Sequence, residues 1–432
     1  MARVVLGLIG FGTVGSGVVQ LLSHQKSLNL KKIAVLDSNK ERAVKTVCPV
    51  TTNVNEIIED PEIEIVIEAM GGEHPALEYI RGALERRKHV VTANKEVLAK
   101  YGPELFALAR QKGVAIFFEA SVAGGIPLIS TMNKGLEANE IAAVTGILNG
   151  TTNFILSSME SKGESYDAAL KQAQQLGFAE ADPTNDVDGH DVAYKLSILS
   201  ALAYERFIKP QDIFREGIRN VTAQDMAHAK EFGYRIKLIG TSRLAKDVTS
   251  GDSACDVRVH PMLVPLDHPL ANVSGSSNGI LVNGHAVGEI LMVGPGAGSL
   301  PTASAVVGDT INLASALQLP DFATYFQPNI RSEWGNVVSV GSWSCPFFLR
   351  ILVSDTAGVI GQIGTILGAH KISLASIVQK GVQKDEHGAS AEIIIMTQST
   401  KEQTLRDAIA EMQKCSFFKS MESLFRVFEA PV

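Results

Sequence analysis

Cysteine is scarce in this sequence, and its four copies lie far apart. Cys48, Cys255, Cys345 and Cys415 form no Cys-x-x-Cys pair and no spacing typical of a disulfide framework. Structural disulfides belong to oxidising compartments, so a chain without such a framework fits the reducing cytosol. We therefore expect a cytoplasmic protein.

Long apolar runs and an excess of positive charge are also missing. No uncharged apolar stretch approaches the ~20 residues of a membrane helix. The run Val4–Ile9 is short and leads into glycines, which favours a strand over a signal peptide. The 39 Lys and Arg against 46 Asp and Glu give a net charge of −7, whereas nucleic-acid-binding surfaces are basic. We expect no membrane partner and no nucleic-acid partner.

The chain is long enough and apolar enough to build several hydrophobic cores. Its 432 residues predict about three domains, at ~150 residues each. A composition of 45% apolar and 20% charged residues is typical of globular domains rather than disordered segments.

A glycine-rich turn follows the first predicted strand. Residues 3–9 are a short apolar run of the kind buried on both faces of a parallel sheet. In the Gly-x-Gly-x-x-Gly pattern that follows, the first glycine permits a tight bend and the second lets the backbone approach a pyrophosphate. The third lets the next helix, predicted over 14–23, pack closely. The candidate cofactor-binding residues here are Gly10, Phe11, Gly12, Thr13, Val14 and Gly15.

The residues after this turn support a dinucleotide-binding fold. A second strand, predicted over 32–36, leads to Asp37, 22 residues beyond Gly15, where a carboxylate would accept hydrogen bonds from a ribose. Asp37 favours NAD, whereas the nearby Lys40 and Arg42 could pair with the 2′-phosphate of NADP. Both cofactors therefore stay open.

Alternation of strands and helices continues through this segment. It predicts a Rossmann-type, doubly wound parallel sheet in an α/β domain. The further strand-like runs are residues 63–69, 89–92 and 115–119.

Polar residues stand where two of these strands are predicted to end. Thr92 closes one strand and Lys95 follows it, at the edge of the sheet where such folds place their ligands. Lys95 is either a surface lysine or a group aimed into the cleft. Glu119–Pro127 follows the next strand and contains a glycine pair. Its backbone oxygens could hold a monovalent cation, although from spacing alone a simple turn is the better explanation.

The densest polar stretch runs from Gly177 to Lys195, with five carboxylates between Glu180 and Lys195. Asp191 and Lys195 are four residues apart and share one face of a predicted helix. If the pair were exposed, it would be an ordinary surface ion pair that contributes little to stability. However, the helix that continues from it is too apolar to be a surface helix, which favours a buried pair. A lysine held beside a carboxylate near a nicotinamide could stabilise a developing alkoxide and donate a proton to it. Glu180 or Asp186 could bind the ammonium group of an amino-acid substrate.

This stretch resembles the signature of homoserine dehydrogenase. The matching elements are Ala173, Gly177-Phe178-Ala179, Asp182-Pro183, Asp186-Val187, Gly189, Asp191 and Lys195. The family's other blocks resemble Gly10–Gly15, Thr92–Lys95, Glu119–Pro127, Asn149–Asn153 and Gly294–Val306.

The resemblance implies an NAD(P)-dependent oxidoreductase that interconverts L-aspartate 4-semialdehyde and L-homoserine. Lys195 matches the family's proton-transfer lysine, and Lys95 matches a second lysine at the cofactor and substrate site. The carboxylates that match substrate-binding positions are Glu180 and Asp191, with Asp186 close by. Thr92, Gly177 and Gly298 fall in blocks that contact the cofactor.

Two further expectations follow from the same resemblance. Main-chain oxygens at Glu119, Val122, Gly124 and Ile126 match a sodium site. Leu36 stands where NADP-preferring relatives often carry arginine, which leaves NADP preference in doubt. The glycine loop begins at residue 10, so we expect a monofunctional enzyme without a fused kinase.

The tail has the order β-α-β-β-α-β, which is the ferredoxin-like arrangement. It resembles an ACT domain in Leu349–Ile351, Asp355–Val359, Ile372-Ser373 and Val378-Gln379, with Ala357-Gly358 where the family usually has Pro-Gly. The resemblance implies feedback binding of an amino acid, with threonine expected at residues 355–359; a module kept only for dimerisation is the alternative.

The predicted organisation has three domains and one linker. An α+β domain separates the nucleotide fold from the tail, and we expect a homodimer or a homotetramer. A different dehydrogenase on the same scaffold, and a catalytically silent amino-acid sensor, are the alternative functions. The predicted units are a dinucleotide-binding domain (1–130), a catalytic and dimerisation domain (131–320), a linker (321–346) and an ACT regulatory domain (347–432).

Overall fold

The computed structural model describes residues 3–42, 44–246, 253–317, 328–385 and 388–429. Its strands are β1 (Val4–Ile9), β2 (Leu28–Ala34), β3 (Val50–Thr51), β4 (Ile65–Glu68), β5 (His89–Thr92), β6 (Ile116–Phe117), β7 (Ile141–Ile147), β8 (Phe214–Arg215), β9 (Tyr234–Lys246), β10 (Ser253–Pro265), β11 (Ser277–Gly284), β12 (Gly288–Pro295), β13 (Ser344–Cys345), β14 (Phe347–Ser354), β15 (Leu374–Asp385), β16 (Gly388–Thr397), β17 (Thr400–Lys401) and β18 (Phe418–Val427).

The α-helices alternate with these strands and cover both sheets. They are α1 (Thr13–Leu22), α2 (Asn55–Ile58), α3 (Ala76–Glu85), α4 (Lys95–Lys112), α5 (Leu128–Ser130), α6 (Gly150–Lys162), α7 (Tyr166–Gln175), α8 (Thr184–Val187), α9 (His190–Tyr204), α10 (Ala223–Glu231), α11 (Ser299–Ala316), α12 (Val359–Ala369) and α13 (Glu402–Met412).

The first sheet confirms the predicted Rossmann-type fold. Its six strands have the order β3-β2-β1-β4-β5-β6, and every neighbouring pair is parallel. In this doubly wound arrangement the strand order reverses between β1 and β4, and ligands bind outside the carboxyl ends of the strands at that point. α11 returns from the middle of the chain and packs against α1.

The second strand begins earlier than predicted. β2 spans Leu28–Ala34 rather than 32–36, and it contains Lys31 and Lys32. Their stems lie along the sheet while the ammonium groups reach Asp60 at 2.6 Å and Glu56 at 2.8 Å. Lysine side chains can occupy such half-buried strand positions because the long apolar stem is buried while the ammonium group stays in water. The strand therefore begins before Lys31 and Lys32 and not after the first of them, as was predicted.

The second sheet extends from the middle of the chain into the tail. Its order is β12-β11-β7-β9-β10-β18-β14-β16-β15, with β8 paired to β10. The tail segments have the predicted β-α-β-β-α-β order. The last strand, β18, pairs in parallel with β10, placing Leu263 beside Val427. The middle segment and the tail therefore share one sheet, and Val144 and Phe425 belong to one buried apolar cluster.

The described part of the predicted linker is packed against its neighbours. Gly335 N donates to Phe207 O at 2.8 Å, and the Arg258 guanidinium lies 4.3 Å from the centre of the Trp343 ring. Residues 321–327 of the predicted linker lie outside the described residues. The domain boundaries themselves remain predictions.

Candidate active site

The carboxyl end of β5 leads directly into α4. Asn94 caps this helix, because its side-chain oxygen accepts a hydrogen bond from Val97 N at 3.1 Å. The hydroxyl of Thr92, the last residue of β5, accepts from Asn94 N at 2.9 Å. Lys95, the first residue of the helix, is thereby fixed at the ligand-binding edge of the first sheet.

The pair Asp191 and Lys195 lies on α9, a helix whose residues 196–201 are all buried. Lys195 Nζ is 2.7 Å from Asp191 Oδ2, and the two side chains are only 8% and 4% exposed. An ordinary solvent-exposed helix pair is therefore excluded here.

A second ammonium and an amide complete the cluster around Asp191. Lys95 forms an ion pair with the other carboxylate oxygen, and its own side chain is 42% exposed. The Asn149 amide donates to Asp191 at 2.9 Å and to Asp186 at 2.7 Å. Lys195 also donates to Leu148 O at 2.5 Å. The structure thus brings together four predicted residues, Lys95, Asp186, Asp191 and Lys195.

The cluster shifts the pKa of each of its ionisable members. Burial lowers the pKa of Lys195, with Asp191 opposing that shift and Lys95 adding to it. Burial alone would raise the pKa of Asp191, but the two ammonium groups hold it below its usual range. The attraction of Asp191 raises the pKa of Lys95. Burial raises the pKa of Asp186, and the charge of Asp191 raises it further.

This arrangement can transfer a proton. An ammonium has three donors, and Lys195 gives two of them to Leu148 O and Asp191. The third can serve a reacting oxygen. A lysine whose pKa is lowered by burial exchanges protons more readily near neutral pH.

The glycine loop fits a bound dinucleotide. A Cβ at Gly12 would meet no atom within 4 Å, whereas one at Gly15 would lie 2.1 Å from Gly10 O. The third glycine is therefore needed for close packing, and the second faces open space beside the first turn of α1. Gly10 adopts φ +100°, a conformation that favours glycine.

The predicted ribose contact lies beyond the end of β2. Asp37 is exposed, and its carboxylate accepts from Asn39 N at 2.8 Å. Arg42 donates to Asp37 O at 2.6 Å and stands 5.4 Å from the ring centre of Phe11. The carboxylate of Asp37 and the guanidinium of Arg42 therefore both lie close to the glycine loop, which contains Phe11.

The loop from Gly294 to Gly298 approaches the glycine loop from the other side. Ser299, the first residue of α11, donates to Thr13 O at 2.7 Å. A Cβ at Gly17 would lie 2.7 Å from Ala303. This close contact between α1 and α11 places Gly298, the residue just before α11, near the nucleotide fold. Its contact with the cofactor remains a prediction.

Two predicted residues stand outside the buried cluster. Gly177 and Glu180 are both exposed, between α7 and α8. The backbone oxygen of Glu180 accepts from Gln174 Nε2 at 3.1 Å. In the described residues, the Glu180 side chain has no contact with Asp191 or the two lysines, so Glu180 lies at the rim.

The predicted cation loop is built around a buried carboxylate. Glu119 accepts from Ile129 N at 2.7 Å and from Ser130 N at 2.8 Å, so its side chain caps the next turn. Ala123 and Gly124 both have positive φ, +58° and +55°. Over the described residues, no group of three or more His, Cys, Asp or Glu side chains is placed to hold a metal ion. This finding does not bear on the predicted sodium site, because the ligands predicted there are main-chain oxygens.

A large cavity of about 1130 Å³ lies elsewhere. Glu119 and Asp309 line it, but Lys195 and Asp191 do not. Burial raises the pKa of Asp309 to about 8, and its carboxylate accepts from Glu119 N at 2.8 Å. This cavity is separate from the lysine cluster.

Several polar residues of the site were not singled out from the sequence. Asn149 falls in the block Asn149–Asn153 that resembles the family, where it was given no role of its own, yet its side chain bridges two carboxylates. Asn278 is fully buried and donates to Leu148 O at 3.0 Å, the same oxygen that accepts from Lys195. Neither contact has a local sequence signal, because the partners are distant along the chain.

Comparison with known proteins identifies the family. Residues 127–311 match the family model described as "Homoserine dehydrogenase" and residues 10–119 match "Homoserine dehydrogenase, NAD binding domain". The homoserine dehydrogenase of Synechocystis sp. is 41% identical over 98% of this chain and 99% of its own length. The chain belongs to the homoserine dehydrogenase family. It is therefore an NAD(P)-dependent oxidoreductase, and residues 347–417 match the ACT domain model.

Further relatives agree over nearly the whole chain. The homoserine dehydrogenase of Bacillus subtilis is 39% identical over 99% of each chain. The crystal structure of a homoserine dehydrogenase from Thiobacillus denitrificans has a TM-score of 0.92 and 39% identity, covering 99% of both chains. A hyperthermophilic archaeal homoserine dehydrogenase, solved in complex with NADPH, has a TM-score of 0.60 and 27% identity over 74% of this chain and 99% of its own.

The length and hydropathy of the helices bear on whether the chain could cross a membrane. Among the helices that the structure describes, none is both long and apolar enough to cross a bilayer.

Proposed function

We propose that this chain interconverts L-aspartate 4-semialdehyde and L-homoserine, with Lys195 as the proton donor and acceptor. The observation that carries the proposal is the buried Lys195–Asp191 pair at 2.7 Å, with Lys95 on the other oxygen of the same carboxylate. Lys95 begins α4 at the carboxyl end of β5, so the pair faces the edge where a nicotinamide would lie.

Lys195 acts on the oxygen of the reacting carbon. The bound nicotinamide supplies the hydride for reduction and accepts it in oxidation. As negative charge develops on the aldehyde oxygen, the ammonium of Lys195 stabilises that charge and donates a proton to it. In oxidation, neutral Lys195 takes the hydroxyl proton. Asp191 and Leu148 O hold Nζ in place in both directions.

Carboxylates beside the lysines would bind the amino group of the substrate. Asp186 is half-buried and 2.7 Å from the Asn149 amide, and Glu180 stands at the exposed rim. A substrate ammonium between these carboxylates would be held by charge-assisted hydrogen bonds. Burial and the charge of Asp191 raise the pKa of Asp186, so a bound cation would favour its ionised form.

Both nicotinamide cofactors are compatible with the residues after β2. Asp37 suits the ribose hydroxyls of NAD, and Arg42 offers a guanidinium that could pair with the 2′-phosphate of NADP. We therefore expect turnover with each cofactor, and comparison of kcat/KM for the two measures the preference.

A sodium ion at the Glu119 loop is a separate part of the proposal. The ligands would be main-chain oxygens of Glu119, Val122, Gly124 and Ile126, and hard monovalent cations prefer oxygen ligands. Sodium should raise the thermal midpoint relative to potassium at equal ionic strength. Equal midpoints in both salts would count against this site.

The tail is proposed to bind threonine and to inhibit turnover. The segment 355–358 is exposed at the start of α12, where the resemblance to ACT domains places the effector. We also propose a homodimer or homotetramer in the cytoplasm, which light scattering in solution can distinguish.

The experiment that tests the catalytic proposal follows absorbance at 340 nm during homoserine oxidation with NAD and with NADP. Lys195→Met should lower kcat by about 10³-fold, since a positioned acid–base group typically contributes 10²–10⁴. Its fold and cofactor affinity should survive. Lys171→Met on the exposed face of α7 is the matched control. Near-normal kcat in the Lys195 variant would overturn the proton-transfer role, and a wild-type chain that binds cofactor without turnover would favour a silent sensor.

A further inference from the structure

Glu68 is a buried carboxylate that the proposed reaction does not use. It is the last residue of β4 and is fully buried. β4 lies beside β1 in the centre of the parallel sheet, so the Glu68 side chain is at the edge where the cofactor binds. A buried ionisable group without a counter-ion is costly and calls for an explanation.

The carboxylate of Glu68 anchors two loops at once. Oε1 accepts from Met70 N at 2.7 Å, in the turn that follows β4. Oε2 accepts from the hydroxyl of Thr92 at 2.5 Å, at the end of β5. The Thr92 oxygen in turn accepts from Asn94 N at 2.9 Å. One side chain therefore fixes the backbone after two neighbouring strands.

Each of these loops reaches a different part of the active site. A Cβ at Gly10 would lie 2.6 Å from Ala69 O, so the turn after β4 supports the glycine loop. Asn94 caps α4, and Lys95, the first residue of that helix, is paired with Asp191. Glu68 thus stands between the cofactor loop and the lysine cluster.

We propose that Glu68 is a positioning residue for the nicotinamide cofactor and for Lys95, and that it performs this role only when ionised. The part concerning Lys95 rests on the proposed function. The part concerning the cofactor can be tested by binding alone.

The hydrogen bonds explain why ionisation matters. Both partners of the carboxylate, Met70 N–H and the Thr92 hydroxyl, are donors, and a carboxylate has only acceptors. A proton on Oε2 would face the Thr92 hydroxyl proton, which now donates to that oxygen. The two groups could stay bonded only if the hydroxyl turned its proton away and became an acceptor for Glu68 as well as for Asn94 N–H. Protonation of Glu68 therefore forces the Thr92 hydroxyl to rotate and loosens the turn that carries Lys95.

The pKa of Glu68 lies where this change can occur. Burial raises it to about 7, although the hydrogen bonds from Thr92 and Met70 oppose the shift. β1 carries no charged residue. The ionisable side chains of the other packed elements are His89 of β5, Glu78, Tyr79, Arg81 and Glu85 of α3, Asp309 of α11, and, in the first turn of α4, Lys95 and Glu96.

These charged groups are engaged elsewhere. Arg81 pairs with Glu104, Glu78 with His74, Glu96 with Lys100 and Lys95 with Asp191, Asp309 accepts from Glu119 N, and Glu85 is exposed. Burial lowers the pKa of His89 to about 4, so His89 is neutral near pH 7. Burial, rather than a neighbouring charge, therefore sets the titration of Glu68.

If the cofactor binds only to the protein in which Glu68 is ionised, binding to the protein with a protonated Glu68 must release that proton to the solvent. Calorimetric titration of the full chain with NADH, in two buffers of different ionisation enthalpy, counts the protons released. NADH is the probe because it lacks the 2′-phosphate, which itself titrates near pH 6. The wild type should release a fraction of a proton at pH 6.5 and none at pH 8.5.

Glu68→Gln should release no proton at either pH, and at pH 8.5 it should bind NADH at least about tenfold more weakly, as expected for loss of one hydrogen bond to a charged group. Glu64→Gln, just before the same strand and at an exposed position, is the matched control and should behave as the wild type. The same proton release in Glu68→Gln as in the wild type would overturn the proposal.

A second variant, Thr92→Val, tests the proposal with Glu68 still in place, in case Glu68→Gln does not fold. It removes one donor to the carboxylate, so the pKa of Glu68 should rise and proton release should appear at pH 7.5–8.5. Unchanged release in Thr92→Val would also overturn the proposal. Absence of turnover in the wild type, with the expected proton release, would refute the proposed function and leave the cofactor part standing.

Discussion

At the scale of single residues, Asp191 is the group on which the cluster depends. It separates two ammonium groups, Lys95 and Lys195, and is itself 4% exposed. Its removal would leave two buried or half-buried positive charges facing each other without the carboxylate that pairs with both. Breaking a buried pair by removing one partner typically costs about 3–5 kcal/mol.

We predict that Asp191→Asn shifts the pH profile of homoserine oxidation to lower pH. Without the attraction of Asp191 the pKa of Lys195 falls further, and neutral Lys195, the proposed base, is populated at lower pH. The variant should also be less stable at pH 7. Because the folded pKa of Asp191 is depressed, its contribution is present above the unfolded value of ~3.9 and lost as pH falls through the folded value. The stability gap should therefore narrow in acid.

The measurements are kcat against pH and urea unfolding at several pH values. Asp167→Asn, exposed in the first turn of α7, is the control for a lost carboxylate. A pH profile that stays in place, or moves to higher pH, would contradict the assigned role of Asp191.

The same residues show how far sequence reasoning reaches. Asp191 and Lys195 were predictable because they lie four apart on one apolar helix, and Lys95 because it follows a strand end. Asn149 and Glu68 were not, because their partners lie 42 and 24 residues away along the chain. Only the folded chain shows which polar side chains meet.

At the scale of elements, the parallel contact of β10 with β18 joins the two sequence-predicted domains. Phe428 N donates to Leu263 O at 2.8 Å. Beside this contact, Arg426 is fully buried and donates to Glu402 and to Glu216, residues of the tail and of the middle segment. The order of strands and helices in the tail followed from local patterns. The pairing of β18 with β10 could not be predicted in this way, because no residue near Arg426 in the sequence indicates which distant strand lies beside it.

We predict that Arg426→Met destabilises the chain by about 3–5 kcal/mol at pH 7.5, since it leaves Glu402 buried without its main partner. In the wild type, burial works to raise the pKa of Glu402, but hydrogen bonds from Arg426 hold it below normal. In the variant this pKa rises. The loss should therefore be smaller at pH 4.5, where Glu402 can become neutral.

Urea unfolding at both pH values tests this prediction. Arg406→Met is the matched control, because Arg406 contacts the same Glu402 but is 44% exposed. Because the Arg406 guanidinium stays partly in solvent and Arg426 still neutralises the buried Glu402, we expect a loss close to the ~1 kcal/mol of a surface pair. Equal losses in the two variants, or a loss in Arg426→Met that does not depend on pH, would contradict the role of Glu402.

At the scale of the whole molecule, one sheet connects the proposed effector segment with Lys195, the proposed catalytic lysine. β14 ends just before Asp355, and the sheet continues through β18, β10 and β9 to β7. β7 leads into Leu148 and Asn149, which hold Lys195 and Asp191. Effector binding that favours one arrangement of this sheet would shift the position of Nζ, and a ligand shifts an equilibrium only by its differential affinity for the two states.

We predict that threonine lowers turnover of the wild type and raises its thermal midpoint, since a ligand of the folded state stabilises it. Gly358 has φ +94° at the start of α12, a conformation that costs another residue about 1–2 kcal/mol. Gly358→Ala should therefore need about tenfold more threonine for the same fractional inhibition. Gly368→Ala is the control, since Gly368 lies inside the same helix with open space at its Cβ. Equal threonine sensitivity in both variants would place the effector elsewhere.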